Sequence, residues 1–359
     1  MQRGRIESFI TRQERPMNIQ DALKLLISKK DLTRSEMQDV VTLIMKGEAT
    51  PAQIGGFLVA LSIKGETVEE ITGAALVMRH FAAEVKTNAT QVNDCVGTGG
   101  DGASLFNVST ASAMVAAEAG AVIAKHGNRA ASGQSGSADL LEAAGVNITL
   151  SPEQVGRCID QIGIGFMFAP THHGATKHAI GPRREIGVRN VFNLLGPLTN
   201  PAGARNLLVG VFSLEWVLPM AQVYRELGAD HVLVVCSEDH LDEISIAAKT
   251  SVAELKNGEI TQYTISPSDF SLTQIANISE LVIDSADKSL EIITSVLGGE
   301  KGPAADIVAL NAGATIYAAN LVDNLQAGVE RAQKVLESGK ALEKLHQLAV
   351  FSQTFSKTR

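Results

Sequence analysis

Cysteine is nearly absent from this sequence. Cys95, Cys158 and Cys236 are odd in number, far apart and without any C-x-x-C spacing. That excludes a disulfide framework and a zinc site, and it fits buried thiols in a reducing cytoplasm, where the protein is expected to reside. Long hydrophobic runs are missing too. The most apolar stretch, AMVAAEAGAVIA, is interrupted by Glu118, so no membrane span is expected. The opening residues, MQRGRIESFITRQERP, carry charge but no apolar signal region, and residues 1–16 read as a flexible extension ahead of a fold that starts near Met17. Positive charge is outweighed, with a formal balance of −8, which argues against nucleic acid or membrane as a partner while leaving room for a small anion in a cationic cleft. Aromatic residues are few, at 4%, whereas Ala, Gly and Leu abound, a composition suited to helices packed closely on a sheet. What remains is an ordinary soluble globular composition on 359 residues, enough for two domains.

From Ile19 to Phe81 the pattern is helical and amphipathic, with start signals at Ser35-Glu36, Thr50-Pro51 and Thr67-Val-Glu-Glu70. A small all-helical domain over residues 17–85 is predicted. After Thr90 the rhythm changes. The apolar runs DCVG, AVIAKHG, NITL, IGFMFA, NLLVGVF and HVLVVCS alternate with helical stretches such as STASAMVAAEAG and SPEQVGRCIDQIG. Such alternation predicts a larger α/β domain, over 86–176 and 204–359, with a mostly parallel central sheet and flanking helices. A polar helical insert near 177–203 could return to the first domain. Asn257-Gly258 centres a hairpin between Glu254 and Ile265, and the C-terminal third is helical.

Ligands of open parallel sheets gather beyond the carboxyl ends of the strands, here the loops after Val96, Ala124, Ala169 and Ser237. In the first, Gly97-Thr-Gly99-Gly-Asp-Gly102 spells the dinucleotide fingerprint. That fingerprint requires an acid about 20 residues on to hold a ribose diol. Lys125 stands in that region instead, and a cation suits phosphate oxygens. No Walker loop exists in the chain. Asn107, Ser109 and Thr110 add donors where the next helix begins, and Asp101 is a turn residue or an acceptor. The second loop, Lys125 to Ser137 with Gly133 inside it, is another glycine-serine cradle, so a ligand with two separate phosphate groups is expected. Arg129 in it reads equally as a phosphate ligand or a surface cation. In the fourth, SEDHLDEIS, Glu238, Asp239, Asp242 and Glu243 form either a solvated acidic turn or ligands for magnesium. His172, His173 and His178 lack metal-binding spacing.

Taken together and in order, GTGGD with NVST, KHGNR with SGSADLLEAAG, GPRREIGVRNVFNLLGPLTNP, and HLDEIS resemble the anthranilate phosphoribosyltransferase family of tryptophan biosynthesis, from about Met17 to the C-terminus. The resemblance implies transfer of the phosphoribosyl group of 5-phosphoribosyl 1-diphosphate (PRPP) to the amine of anthranilate, with release of diphosphate. It implies a cleft between the two domains, a homodimer formed through the helical one, and two magnesium ions. It assigns PRPP to Gly97, Gly100, Asp101, Leu105, Asn107, Ser109, Thr110, Lys125, Gly133 and Ser137. It assigns anthranilate to Gly97, His126, Asn128 and Arg183, and magnesium to Ser109, Asp242 and Glu243. Lys125 and Arg183 carry the catalytic expectation. Leu105, Thr176 and His240 depart from the family pattern, which often has a hydroxyl residue, methionine and glycine there. The rivals are a pyrimidine nucleoside phosphorylase, which has no use for the Asp242-Glu243 pair, and a non-catalytic nucleic-acid-binding relative, which would need a basic stripe.

Overall fold

The computed structural model describes residues 16–130 and 134–357. Nearly all of the expected extension, residues 1–15, and the candidate Gly133 lie outside the described residues.

The chain opens with four helices, α1 (Ile19–Ile27), α2 (Arg34–Met45), α3 (Pro51–Lys64) and α4 (Val68–Phe81). The last three begin with capping boxes at Thr33/Glu36, Thr50/Gln53 and Thr67/Glu70, in which hydroxyl and carboxylate or amide exchange bonds with two otherwise unmet backbone N–H groups. The start of α2 therefore differs from expectation. The cap is Thr33 and not Ser35, because only Thr33 places Glu36 three residues on.

Seven strands follow: β1 (Asn93–Gly97), β2 (Ile123–Gly127), β3 (Ile164–Phe168), β4 (Asn206–Gly210), β5 (His231–Ser237), β6 (Thr250–Lys256) and β7 (Glu259–Ile265). They form one sheet in the order β3-β2-β1-β4-β5-β6-β7, parallel through β5 and antiparallel at β6 and β7. The β6–β7 turn is the predicted hairpin, with Asn257 at φ 54° and Gly258 at φ 84°. The run NITL forms no strand. Asn147 accepts the Thr149 N–H at 3.1 Å and bends the chain, while Ile148 and Leu150 are buried without a ladder. Two buried apolar residues two apart mimic strand alternation, and the side chain of Asn147 decides against it.

The remaining helices are α5 (Val108–Glu118), α6 (Ser137–Ala143), α7 (Pro152–Ile162), α8 (Ala169–His172), α9 (Lys177–Ile186), α10 (Val191–Leu198), α11 (Val217–Glu226), α12 (Ala286–Leu297), α13 (Pro303–Ala318), α14 (Leu325–Ser338) and α15 (Lys340–Gln353). Strand β5 shows why both sheet faces need helices: Leu233 and Val235 enter the core beneath α5 and α12–α15. Val232, Val234 and Cys236 enter the core shared with α11 and α1–α4. The insert containing α9 and α10 turns back onto the first helices. There the His178 ring lies over Gly47 and Ser62 donates to the Arg189 carbonyl at 3.4 Å.

The sequence order of the strands reverses at β1. Its neighbours β2 and β4 lie on opposite sides, which opens a crevice beyond Gly97 and Gly210.

Candidate active site

The floor of the crevice is bare backbone. The chain after β5 crosses the ends of β1 and β4 so closely that a Cβ on Gly97 would meet the Asp242 carboxylate, and one on Gly210 its carbonyl. Glycine is required at both positions by approach and not by backbone angle. The Gly99 N–H then donates to Asp242 Oδ2 at 2.6 Å, and Thr98 N–H to the Gly210 carbonyl at 3.0 Å. Positive φ at Gly99, Gly100 and Gly102 lets the loop coil over this floor. Asp101 closes it with a turn bond from Ala103 N–H at 3.2 Å. Leu105 forms a backbone bridge with Val282 and packs against the apolar core.

Lys125 is 2% exposed, and its Nζ donates to the Cys95 carbonyl at 2.8 Å and to Ser109 Oγ at 3.3 Å. The Ser109 N–H is met by Glu243. The neighbouring Thr110 Oγ1 is buried and has no partner among the described residues. Asn107, at the start of α5, makes no capping bond with its side chain. Its side chain reaches the second loop and α12 instead, at Ser135 and Ser289.

Three carboxylates, Asp101, Asp242 and Glu243, thus share one region with Lys125. Burial, then the charge of Asp101, pushes Asp242 up to about 7. Burial, then the charge of Asp242, drives Glu243 well above the usual carboxylate range, Lys125 opposing. Ligand-free, these acids repel one another, and a cation would relieve them. Among the described residues no group of three His, Cys, Asp or Glu side chains is placed to cage an ion alone. The donor set fits a hard divalent cation that takes its other ligands from bound phosphate. Glu238 and Asp239 point elsewhere. Glu238 is exposed, and Asp239 accepts the Ser245 hydroxyl at 2.8 Å.

In the second loop a Cβ on Gly127 would collide with Ser137 Oγ, so glycine lets α6 start against the β2 end. Asn128 is exposed, and its carbonyl accepts the Ser137 hydroxyl at 3.4 Å. Arg129 pairs with Asp139 and Glu142 at 2.8 Å each, which favours the surface-cation reading over phosphate binding.

On the other side of β2 the His126, His172 and His173 rings each hydrogen-bond a backbone carbonyl, of Gly196, Phe168 and Thr199 respectively. Each leaves a buried Nε2 unpartnered. Burial, first of all, lowers all three, His173 to about 4. A carbonyl can only accept, so each neutral ring holds its proton on Nδ1 and offers Nε2 as an acceptor. Arg183 stacks on the Phe192 ring at 4.9 Å, with Nε unpartnered and no carboxylate in ion-pair range among the described residues. Burial lowers its pKa. Phe192 and Gly196 are one turn apart on α10, which brings Arg183 and His126 against one helix face.

Residues 89–342 match the glycosyl transferase family a/b domain, and residues 20–82 match that family's helical bundle domain. An anthranilate phosphoribosyltransferase of Thioalkalivibrio sulfidiphilus is 56% identical over 336 residues, covering 94% of this chain and 99% of the relative. The chain belongs to the anthranilate phosphoribosyltransferase family. The crystal structure of the Thermus thermophilus member is 44% identical, with a TM-score of 0.88 over 93% of this chain and 99% of that one. The Saccharomyces cerevisiae anthranilate phosphoribosyltransferase, solved in complex with PRPP and Mg, is 25% identical with a TM-score of 0.85, covering 94% of this chain and 98% of that chain.

Four participants escaped sequence reasoning. Gly210 sits inside an apolar run that reads only as a strand. Asp94 is a buried acid in β1 that accepts from Cys95 N–H, His126 N–H and the Asn200 amide, with burial pushing it up to about 6. Its signal was a charge within DCVG, next to the loop. Ser135 and Ser289 carried no signal of their own.

Proposed function

We propose that the chain transfers the phosphoribosyl group of PRPP to the amine of anthranilate, giving N-(5-phosphoribosyl)anthranilate and diphosphate, the phosphoribosyl-transfer step of tryptophan biosynthesis. One observation carries the reading. Two loops built for anions flank three mutually repelling carboxylates and one buried lysine, at the switch point of a parallel sheet.

PRPP is charged at both ends. Gly97, Gly100, Asp101, Leu105, Asn107, Ser109 and Thr110 would line the first cradle. Lys125 would reach the first from β2, its Nζ on Ser109 Oγ; Ser137, with Gly133 as the resemblance assigns it, would serve the second. The unpartnered Thr110 hydroxyl supports this, as does the positive end of α5. Ser109, Asp242 and Glu243 would hold magnesium, as two ions, shared with the diphosphate. When bound, magnesium supplies Lewis-acid neutralisation of charge on the leaving diphosphate. Lys125 adds a fixed positive charge, held by the Cys95 carbonyl, that needs no rearrangement as the C1–oxygen bond breaks. Arg183, with no carboxylate of its own, would receive that of anthranilate, oriented by Gly97, His126 and Asn128. The aromatic amine is neutral at physiological pH and needs no strong base, so positioning and electrostatics do most of the work.

The cleft lies between the unit 17–85 with 177–203 and the unit 86–176 with 204–359. Exposed Ile27, Val59 and Ile63 on α1 and α3 support a homodimer through the helical unit. Buried, unpaired cysteines fit a reducing cytoplasm. Among the described residues no helix is long and apolar enough to cross a membrane.

The test is loss of anthranilate fluorescence on mixing protein, PRPP and magnesium. EDTA should abolish it, and Arg183→Ala should raise the anthranilate KM with little change in the PRPP KM. Turnover undiminished by EDTA, or consumption of uridine with phosphate instead, would refute the assignment.

A further inference from the structure

Helix α12 buries Ser289, Ile293, Val296 and Leu297 as a stripe at helical spacing, and Ser289 is the one polar member. Its hydroxyl is fully buried, at 0% exposure, and among the described residues it meets only Asn107, 182 residues earlier. There it makes two bonds. Ser289 Oγ accepts the Asn107 N–H at 3.0 Å and donates to Asn107 Oδ1 at 2.8 Å. The Ser135 hydroxyl donates to the same Oδ1 at 2.9 Å, and Asn107 Nδ2 donates to the Ser135 carbonyl at 3.0 Å.

The Ser135 carbonyl can only accept, so it holds the Asn107 NH2 group and leaves Oδ1 to receive the two hydroxyl protons. The orientation of the Asn107 amide is therefore fixed. Its oxygen faces Ser289, and its nitrogen faces the second loop. One Nδ2 proton is used on Ser135 and the other is left for a ligand oxygen. Two of the four bonds fasten the first anion loop to the second at Ser135, and the other two tie it to α12.

We propose that Ser289 is a positioning residue for PRPP: it acts through Asn107, holding the backbone N–H and the amide oxygen of that residue in place against α12. This rests on the phosphoribosyl-transfer reading. Ser289 touches neither substrate. It is remote in sequence, and its effect should fall on the doubly anchored ligand and not on the aromatic acid.

The experiment compares Ser289→Ala, Ser289→Thr, Ser135→Ala and the double alanine variant by steady-state kinetics for both substrates, with melting temperatures alongside. Ser289→Ala should raise the PRPP KM by about tenfold, equivalent to about 1.4 kcal/mol, with the anthranilate KM and kcat within about twofold. Ser289→Thr, which keeps the hydroxyl, should recover most of the loss. The double variant should fall short of the product of the single effects, because both hydroxyls act on one oxygen. An unchanged PRPP KM, an equal rise in both KM values that tracks a lower melting temperature, or multiplicative single effects would overturn the proposal. Turnover by the unmutated protein is the separate control: its absence would sink the reaction assignment, whereas normal turnover with an indifferent Ser289→Ala sinks only this inference.

Discussion

Glu254 and the Asp242–Glu243 pair are carboxylates served by the same strand, and they live opposite lives. Strand β5 starts at His231, whose Nε2 lies 3.0 Å from Glu254 Oε1. Tyr317 and Tyr263 donate to the same carboxylate at 2.7 and 2.8 Å. Burial alone would raise Glu254, but hydrogen bonds from His231, Tyr317 and Tyr263 outweigh it and hold the group down to about 2. At the other end of β5, about 20 Å away by strand rise, Asp242 has backbone donors at Gly99 and its own N–H, a repelling Asp101, and an affinity for protons raised to about 7. One end is built to be complete without a ligand. The other is stable only at a cost that a cation and an anion would remove. Residue type does not separate a structural acid from a functional one; the supply of donors around it does.

The sharpest way to break this contrast is to remove one acid at each end. Asp242→Asn should lower kcat/KM at saturating magnesium by about a hundredfold or more, while raising the ligand-free unfolding midpoint because a repelling charge is gone. A fall in both activity and stability would mean that Asp242 is structural after all. Glu254→Leu should do the reverse. It leaves His231 and two tyrosine hydroxyls buried without their acceptor and should cost about 3 kcal/mol in chemical denaturation, with kcat/KM little changed in the protein that remains folded.

The acid limb sharpens the same point. Glu254 is held below its ordinary 4.5, so its contribution is complete above that pH and is lost as pH falls toward about 2. Glu254→Gln should flatten stability against pH over that window by lowering stability on its neutral side. A slope that survives the substitution would assign acid unfolding to other groups. The smallest effect is at His240, which holds φ at 66° beside the acidic pair. Glycine there should stabilise the ligand-free protein by about 1 kcal/mol, since an L side chain is strained in that region. A loss of stability would show that the imidazole makes a compensating contact.

The sheet was legible where apolar runs were long enough to be buried on both faces, as in HVLVVCS, and where punctuation was unambiguous, as at Asn257-Gly258. It failed at NITL, where two buried residues imitate a strand and a neighbouring Asn side chain turns the backbone. The carboxylates and Lys125 could be read from loop position and charge, because a cation where a diol-binding acid should stand is a local anomaly. Asn107 was read as a donor at the start of a helix, and the structure also uses it as a bridge. Its partners lie 28 and 182 residues away, and nothing local to a serine announces so distant a bond. Arg129 shows the converse: a basic residue inside an anion loop whose charge is neutralised by its own helix.

The crossing of the 242–243 chain over Gly97 and Gly210 makes the protein fragile in an unusual way. Neither glycine adopts a strained angle, yet a single methyl at either would lift the acids from their seat. The backbone there behaves as a hidden part of the reaction centre.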